Sequence, residues 1–298
     1  MKIIRTIEQM RAASRAVRGA GKRLGFVPTM GALHAGHISL VRSARAQSDA
    51  VCVSIFVNPA QFGPQEDLSK YPRPFEKDRE LLEAEKVDFL FYPDVTEMYP
   101  AGALTFVEVA KMSERLDGKS RPGHFRGVTT IVSKLFHAVE PDVAFFGQKD
   151  AAQSAIIRRM MRDLDLETRI VICPTVREPD GLAMSSRNVY LSPQERKSAT
   201  VLYRALTRIQ FLVDKGERRA AELVRIGKEV LAEERDVKLD YFEIVNNDTL
   251  EPVVDVSAGA LVAVAAFVGT TRLIDNLLLF GGGWARGPEA EPTADERR

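Results

Sequence analysis

The chain has 298 residues, of which 45% are hydrophobic and 28% are charged. This is enough for about two domains at roughly 150 residues each, and it excludes disorder of the whole chain. Lys and Arg total 42 against 41 for Asp and Glu, so the formal net charge is only +1. A nucleic-acid-binding protein normally carries a strongly basic domain, which this balance argues against. A few local cations can still hold a small anionic ligand.

The two cysteines, Cys52 and Cys173, exclude a disulfide framework. Both lie in apolar runs, which predicts buried and inert thiols. The first residues lack the long apolar core of a signal peptide. The longest apolar stretch, Ala258–Val268, is about half of the roughly 20 residues that a membrane span needs. We therefore expect a soluble cytoplasmic protein.

Short apolar runs alternate with longer helical patterns through about residue 175. The runs are typical of strands covered on both faces of a parallel sheet, and they are Leu24–Thr29, Ala50–Val57, Val87–Tyr92, Val143–Phe146 and Arg169–Cys173. The predicted helices between them are Ile38–Gln47, Phe75–Glu85, Val128–Val139 and Ala151–Asp165. The alternation predicts a doubly wound, Rossmann-like α/β domain over residues 1–175, with Pro93–Gly127 as an elaborated crossover. In such a domain, ligands bind beyond the carboxyl ends of the strands.

The character of the chain changes after Pro174. Ser192-Pro193-Gln194-Glu195 forms a capping box with Pro at the first helical position, so we predict a helix from there to about Asp214. A second amphipathic helix follows over about Arg219–Glu234. The later apolar runs are Leu239–Val245, Ala260–Val268 and Leu273–Phe280. We expect a smaller, lid-like α+β domain over residues 176–281 and a disordered tail over 282–298, which is rich in Gly, Pro and charge.

The strongest chemical signal is Pro28-Thr29-Met30-Gly31-Ala32-Leu33-His34-Ala35-Gly36-His37 at the end of the strand Leu24–Thr29. Gly31 and Gly36 let the backbone approach a phosphate chain, and the following helix offers N–H groups and its positive dipole end. If that helix begins near Ala35, His34 and His37 face the same ligand. Their imidazoles can donate hydrogen bonds to phosphate oxygens as negative charge builds in a transition state. The alternative is an ordinary strand–loop–helix junction with two surface histidines, which the position of the motif disfavours.

This pattern resembles the HxGH motif of the adenylyl-transferring superfamily, whose members pair it with a mobile KMSKS-like loop after the last strand. Lys111-Met112-Ser113 spells the first letters of that loop, but it lies before the fourth strand. Met184-Ser185-Ser186-Arg187-Asn188 follows the fifth strand, and we favour it. Its hydroxyls can bind phosphate oxygens, and Arg187 can bind them bidentately. A polar turn before the Ser192 cap is the alternative.

Lys149, in Phe145-Phe146-Gly147-Gln148-Lys149-Asp150, follows the fourth strand. It is placed to neutralise phosphate charge, and the N–H groups of Gly147 to Asp150 can extend the cradle. A solvated lysine at a strand end is the alternative. Gln61 and Gln153 both donate and accept hydrogen bonds, which suits a substrate with hydroxyls and a carboxylate, although isolated glutamines are usually surface residues.

Six stretches together resemble the pantothenate synthetase (pantoate–β-alanine ligase) family, in the family's order and over about residues 1–280. They are Val27–His37, Ser54–Phe62, Tyr71–Arg73, Arg121–Val128, Phe146–Asp150 and Asp180–Asn188. The resemblance implies that ATP and (R)-pantoate give a bound pantoyl adenylate and pyrophosphate. β-Alanine then attacks the adenylate to give pantothenate and AMP. It also implies a cytoplasmic homodimer.

The resemblance also implies roles for individual residues. The implied catalytic residues are His37 (as proton donor), His34, Lys149, Ser185, Ser186 and Arg187. The implied border of ATP consists of Met30, Gly31, Ala32, Leu33, His34, Ala35, Gly36, His37, Gly147, Gln148, Lys149, Asp150, Val176, Met184, Ser185, Ser186 and Arg187. Gln61 and Gln153 are implied to hold pantoate, with Gln61 also near β-alanine. Mg²⁺ is expected with ATP, bound through phosphates and waters without a dedicated cage, and Asp78 and Asp150 are candidate outer contacts.

Three other functions compete with this one. A plain nucleotidyltransferase that adenylylates a phosphate ester, or another small acid, would not need the C-terminal domain. A tRNA synthetase is disfavoured by the near-zero net charge and by the lack of an anticodon-binding region. A catalytically dead ATP-binding regulator is disfavoured because the histidines, the lysine and Ser-Ser-Arg are all intact. For Arg121, His124 and Arg126, a wall of the pantoate pocket and a turn that caps the helix near Val128 both remain open.

Overall fold

The computed structural model describes residues 1–64 and 66–280, so the tail predicted over 282–298 lies outside the described residues. The strands are β1 (Lys2–Ile4), β2 (Leu24–Thr29), β3 (Ala50–Ile55), β4 (Phe89–Phe91), β5 (Val143–Gly147), β6 (Arg169–Cys173), β7 (Val237–Val245), β8 (Ala260–Val268) and β9 (Thr271–Leu279). The α-helices are α1 (Ile7–Gly19), α2 (Ala35–Gln47), α3 (Phe75–Ala84), α4 (Val95–Met98), α5 (Asp117–Ser120), α6 (His124–Val139), α7 (Ala151–Asp163), α8 (Pro193–Ser198), α9 (Val201–Asp214) and α10 (Ala220–Ala232).

The first six strands form a parallel sheet in the order β1-β4-β3-β2-β5-β6. The chain runs outward from β2 through β3 to β4 and then returns to β5 on the other side of β2. The order therefore reverses between β2 and β5, and their carboxyl ends frame the crevice in which doubly wound sheets bind ligands. The predicted α/β fold class is confirmed.

Both faces of the parallel sheet are covered. One apolar cluster joins the sheet to α1, α6 and α7, and within it the rings of Phe26 and Phe136 meet edge to face at 6.2 Å. A second cluster packs the opposite face against α2 and α3, with Val27, Val41 and Leu82 buried. Burial on both sides explains why these strands read as continuous apolar runs rather than alternating ones.

The last three strands form an antiparallel sheet in the order β7-β8-β9. Residues of β8 alternate between two apolar clusters: Leu261 and Ala263 pack into the core of the N-terminal domain, while Val262 and Val264 pack under α9 and α10. The small sheet is therefore sandwiched between its own helices and the N-terminal domain, in line with the predicted smaller α+β unit. In the described part of the chain, no helix is long and apolar enough to cross a membrane.

Several predicted element boundaries are wrong. The helix expected from Ser192 to Asp214 divides into α8 and α9, where the Thr200 N–H bonds to the Lys197 carbonyl three residues back instead of four. β3 ends at Ile55 rather than Val57. α6 begins at His124, earlier than predicted, after Gly123 with φ +82°. Neither β1 nor α1 was predicted.

The contact between α10 and β7 generates a stability prediction. A β-carbon on Gly227 would lie 2.3 Å from Cζ of Phe242, whose side chain is 1% exposed. Gly227→Ala should therefore lower the free energy of unfolding by about 1–3 kcal/mol through overpacking, as measured by urea denaturation. Gly19→Ala at the end of α1 is the matched control, because nothing lies within 4 Å of its β-carbon. Equal stability of the two variants would contradict this packing.

Candidate active site

A cavity of about 220 Å³ opens at the carboxyl ends of β2 and β5. Eight of the predicted site residues line it: Met30, His37, Gln61, Lys149, Asp150, Gln153, Ser185 and Arg187. The floor is apolar and comes mainly from α6 and β5, with Phe125, Val128, Ile131, Val132, Leu135 and Phe146. The structure thus brings three distant segments of the chain around one cavity that is lined by both polar and apolar side chains.

The loop after β2 is folded around a buried carboxylate. Asp78 of α3, 1% exposed, accepts hydrogen bonds from the N–H groups of Ala32 and Leu33, both at 2.8 Å. Gly31 has φ +79°, and a β-carbon there would lie 3.0 Å from both Asp78 and Ile55, so the tight turn requires glycine. Both Asp78 oxygens are committed to this loop. The expectation that Asp78 is an outer metal contact is therefore not supported.

The two histidines are held by the start of α2. His34 is the N-cap residue, and its Nδ1 accepts from the Gly36 N–H at 3.1 Å. The Nδ1 of His37 accepts from the His34 N–H at 3.3 Å. A nitrogen that accepts carries no proton, so both neutral imidazoles hold their proton on Nε2. The helix begins at Ala35, earlier than the predicted Ile38, which meets the condition under which the two histidines face one ligand, and the two rings lie with centroids 4.1 Å apart.

Both imidazoles are uncharged at neutral pH. Burial, followed by the positive charge of Lys149, lowers the pKa of His34 to about 4. Burial, His34 and Lys149 together lower the pKa of His37 to about 3. The pair therefore presents two hydrogen-bond donors without adding charge, and Lys149 lies close enough to act on both.

Lys149 stands on the 3-10 turn Gln148–Asp150 between β5 and α7. Its Nζ lies 3.8 Å from Oδ1 of Asp150. The carbonyls of Gln148 and Lys149 accept hydrogen bonds from Asn276 of β9 at 2.9 and 2.8 Å. The turn that carries Lys149 is therefore attached to the C-terminal domain.

The Ser-Ser-Arg segment follows a small hairpin, in which Met184 N–H donates to the Val176 carbonyl at 3.0 Å. Val176 and Met184 thus build the hairpin and do not line the cavity among the described residues. The Ser186 hydroxyl lies 3.4 Å from that of Tyr71. Arg187 binds Asp67 bidentately, with Nε and Nη2 each 3.0 Å from a carboxylate oxygen.

Gln61 lines the cavity close to the loop after β2, and its Nε2 donates to Sδ of Met30 at 3.0 Å. Its Oε1 accepts from Asn58 at 3.1 Å, and Asn58, which is 1% exposed, also donates to the Gly127 carbonyl at 3.0 Å. A β-carbon on Gly127 would lie 2.2 Å from the Ala60 carbonyl oxygen. The turn that carries Gln61 therefore packs backbone to backbone on the start of α6, which only glycine allows.

The loop with Arg121, His124 and Arg126 divides between two places. Arg121 and His124 line the cavity. His124 donates from Nδ1 to the Gln61 carbonyl at 2.9 Å, and its Nε2 accepts from Arg121 at 3.0 Å. Burial and the charge of Arg121 lower the pKa of His124 to about 4. Arg126 instead stacks over the ring of Phe106, 4.0 Å from its centroid.

The remaining sequence candidates lie elsewhere. Met112 and Ser113 are buried in the 3-10 turn Met112–Glu114, which does not contribute to the cavity lining among the described residues. Cys52 and Cys173 are buried, as predicted, and burial raises the pKa of both thiols. Neither thiol is a nucleophile at neutral pH.

Sequence reasoning missed two acidic partners of the cavity arginines. Glu66 binds Arg121 bidentately at 2.8 and 2.6 Å, and Asp67 binds Arg187. Nothing in the local pattern pointed to them, because each pair is far apart in the sequence. Asn58 and Tyr71 were also missed as site residues, although they lie within the stretches that carry the family resemblance, and that position was the available signal.

The sheet, its switch-point cavity and the ring of imidazole, ammonium and guanidinium groups define an α/β enzyme with a site for a small anionic molecule. The family model for pantoate–β-alanine ligase matches residues 2–278. The chain belongs to the pantoate–β-alanine ligase family, and the resemblance found in its motifs is confirmed.

Individual relatives agree over nearly the whole chain. Pantothenate synthetase from Koribacter versatilis (strain Ellin345) is 61% identical over 288 residues, covering 97% of this chain and 99% of that protein. The crystal structure of pantothenate synthetase from Thermus thermophilus matches with TM-score 0.88 at 48% identity, covering 93% of this chain and 99% of that one. Pantoate–β-alanine ligase from Francisella tularensis, complexed with β-γ ATP and β-alanine, matches with TM-score 0.76 at 36% identity, covering 93% and 97%.

The buried imidazoles predict how stability depends on pH. His34, His37 and His124 have folded-state pKa values of about 4, 3 and 4, below the ordinary 6.5. Between pH 6.5 and about 4, the unfolded chain therefore binds more protons than the folded one, and stability falls as the pH falls through this window. Urea unfolding at pH 7.5, 6.5, 5.8 and 5.0 measures the slope.

A pair of histidine variants tests the source of that slope. His37→Gln removes one titrating group and should reduce the slope by up to about 1.4 kcal/mol per pH unit. His137→Gln, at an exposed histidine of α6, is the control for the substitution itself. A His37→Gln slope identical to the wild type would show that His37 binds protons equally in the folded and unfolded states, which would contradict its lowered pKa.

Proposed function

We propose that this protein condenses (R)-pantoate with β-alanine at the expense of ATP, releasing AMP and pyrophosphate through a pantoyl adenylate. The observation that carries the proposal is the meeting of His37, Lys149, Ser185 and Arg187 around one cavity, with His34 packed against His37, in a chain of this family. The Francisella relative, whose complex contains β-γ ATP and β-alanine, supports the choice of nucleotide and amine.

In the first step, a pantoate carboxylate oxygen bonds to the α-phosphorus of ATP, and the bond from that phosphorus to pyrophosphate breaks. Negative charge grows on the phosphoryl oxygens and on the leaving group. The Nε2–H groups of His34 and His37 donate to those oxygens, and Lys149 neutralises charge. Donors that are already oriented lose little free energy to reorganisation. Because the pKa of His37 is near 3, His37 acts at neutral pH as a neutral hydrogen-bond donor.

Ser185 and Arg187, which line the same cavity, extend this set of donors. Asp67 accepts hydrogen bonds from Nε and Nη2 of Arg187. No described residue accepts a hydrogen bond from Nη1, so this group can donate to a phosphate oxygen. The Ser186 hydroxyl, beside Tyr71, reaches the same region. A planar guanidinium with fixed donors suits phosphate oxygens better than a flexible ammonium group.

The acid is held at the other end of the cavity. (R)-Pantoate carries a carboxylate, two hydroxyls and two methyl groups on one carbon. Gln61 and Gln153 supply amides that donate to and accept from hydroxyls. Val128, Ile131 and Val132 of α6 supply an apolar wall for the methyl groups. The opposed polar and apolar sides match this acid.

In the second step, the β-alanine nitrogen bonds to the acyl carbon, the bond to AMP breaks, and the ammonium intermediate loses a proton to solvent. The mixed anhydride is already activated, so no enzyme nucleophile is required, in agreement with two buried thiols.

Mg²⁺ fits this site as part of the ATP substrate. In the described chain, no group of three His, Cys, Asp or Glu side chains is placed to hold a metal. Asp150 lines the cavity beside Lys149, and Mg²⁺ commonly takes one or two carboxylates together with substrate phosphates. Asp150 would therefore hold the ion, which neutralises phosphate charge when bound.

We further propose a homodimer that forms along residues 103–107. Leu104 is 88% exposed and Phe106 is 48% exposed, and an extended apolar segment of this kind is a template for pairing with a second chain. Light scattering should show a dimer for the wild type and a monomer for Leu104→Asp. Val254→Asp is the control at an equally exposed valine, 89%, and should remain a dimer. A monomeric wild type would refute the proposal.

The reaction is tested by pantoate-dependent exchange of labelled pyrophosphate into ATP, and by AMP release that requires both pantoate and β-alanine. His37→Ala should reduce the exchange rate by about 10²-fold or more, as expected for the loss of one oriented donor. His137→Ala, a histidine on the exposed side of α6, should exchange at the wild-type rate. AMP release that does not depend on pantoate, or a stable dinucleotide product, would indicate a plain adenylyltransferase instead.

A further inference from the structure

Two adjacent polar residues are buried in the middle of β9. Asp275 is 3% exposed and Asn276 is 5% exposed, within the otherwise apolar run from Leu273 to Leu279. They pair with Val264 and Ala263 of β8. Successive side chains of a strand point to opposite faces, so these two neighbours reach different surroundings. Buried polar groups are costly unless they are satisfied, which raises the question of what each one binds.

The side chain of Asn276 forms hydrogen bonds with the turn that carries Lys149. Its Nδ2 donates to the carbonyls of Gln148 and Lys149 at 2.9 and 2.8 Å, and its Oδ1 accepts from the Gln148 side chain at 2.8 Å. All three side-chain hydrogen bonds therefore end on two consecutive residues of one catalytic turn. They cross from the C-terminal domain to the N-terminal domain.

Asp275, which also lines the cavity, binds the hairpin that precedes Ser185. Its carboxylate binds Arg177 bidentately at 2.6 and 2.9 Å. Arg177 in turn donates to the Gly181 carbonyl at 3.0 Å, across the turn of the hairpin. Gly181 has φ +92° and lies against the ring of Tyr203, so the hairpin has little freedom to shift. The strand leaving this hairpin ends at Met184, directly before Ser185.

We propose that Asp275 and Asn276 are positioning residues, which together set the separation between Lys149 and the Ser185–Arg187 segment. The inference rests on the proposed function, in which both groups bind one phosphate chain. Because each loop is tied to a consecutive residue of the same strand, the spacing between the loops is fixed by one rigid element of sheet. Misplacement by about 1 Å is enough to cost roughly 10²-fold in rate.

Asn276→Ala should lower kcat for adenylation by roughly 10- to 100-fold with a smaller change in the KM for pantoate, because its hydrogen bonds end on Gln148 and Lys149 and not on Gln61 or Gln153. Asn276→Asp keeps the acceptor and the shape but loses both donors, and it should show the same loss. In a Lys149→Ala background, either substitution should cost less than twofold, because it acts through Lys149. Fully additive losses would overturn the proposal.

Hydrogen exchange of the amides separates the two tethers without relying on catalysis. Asn276→Ala should speed exchange across residues 147–151 and leave residues 176–187 unchanged. Asp275→Asn should have the opposite pattern. If wild-type protein lacks adenylation activity while these patterns appear, the proposed function fails and the tethers stand. If the protein is active and neither pattern appears, the tethers are refuted.

Asn246→Ala is the matched control. Asn246 also holds a turn, accepting from the N–H groups of Asp248 and Thr249 at 2.8 and 3.0 Å. It is an asparagine of the same domain and is not one of the described residues that line the cavity. Its kcat should equal that of the wild type. A comparable loss in this variant would mean that general destabilisation of the C-terminal domain, rather than the tether, lowers the rate.

Discussion

The hydrogen bond from the Gly36 N–H to Nδ1 of His34 is the interaction on which the geometry of the two histidines depends. It caps α2, orients the His34 ring, and leaves the proton on Nε2. His37 repeats the arrangement by accepting from the His34 N–H. A β-carbon on residue 36 would lie 2.8 Å from Cε1 of His34, so glycine is needed for the cap to close. The spacing of this motif thus follows from how one helix begins.

Two arginines that line the cavity are paired with carboxylates that are distant in the sequence. Glu66 and Asp67, consecutive residues, bind Arg121 and Arg187. Burial raises the pKa of each carboxyl, but the hydrogen bond and charge of its arginine outweigh burial and leave both pKa values below the ordinary range. Each guanidinium is therefore oriented before a ligand arrives, which reduces the entropy that binding must offset. Cationic side chains and neutral imidazoles share the cavity without strong mutual repulsion.

The sequence predicted those elements that depend on residues close together in the chain. β2 and β3 could be predicted because strands that are buried on both faces are continuous apolar runs. The loop that leads into α2 could be predicted from its glycines and histidines. The Arg187–Asp67 pair joins residues 120 positions apart, and Asn276 meets Gln148 across 128 positions. Hydrophobic periodicity carries no information about such contacts. The one signal for Asn276 was the presence of an amide side chain within an apolar strand, and a single polar residue hardly changes the mean hydropathy of that strand.

The backbone contact between Gly127 and Ala60 links the shape of the cavity to its polarity. The turn that carries Gln61 packs on the start of α6, and the same helix supplies apolar side chains of the cavity floor. A substitution in that floor that moves α6 would also move the amide of Gln61. Variant libraries that reshape this cavity should therefore change the floor and the Gln61 turn together.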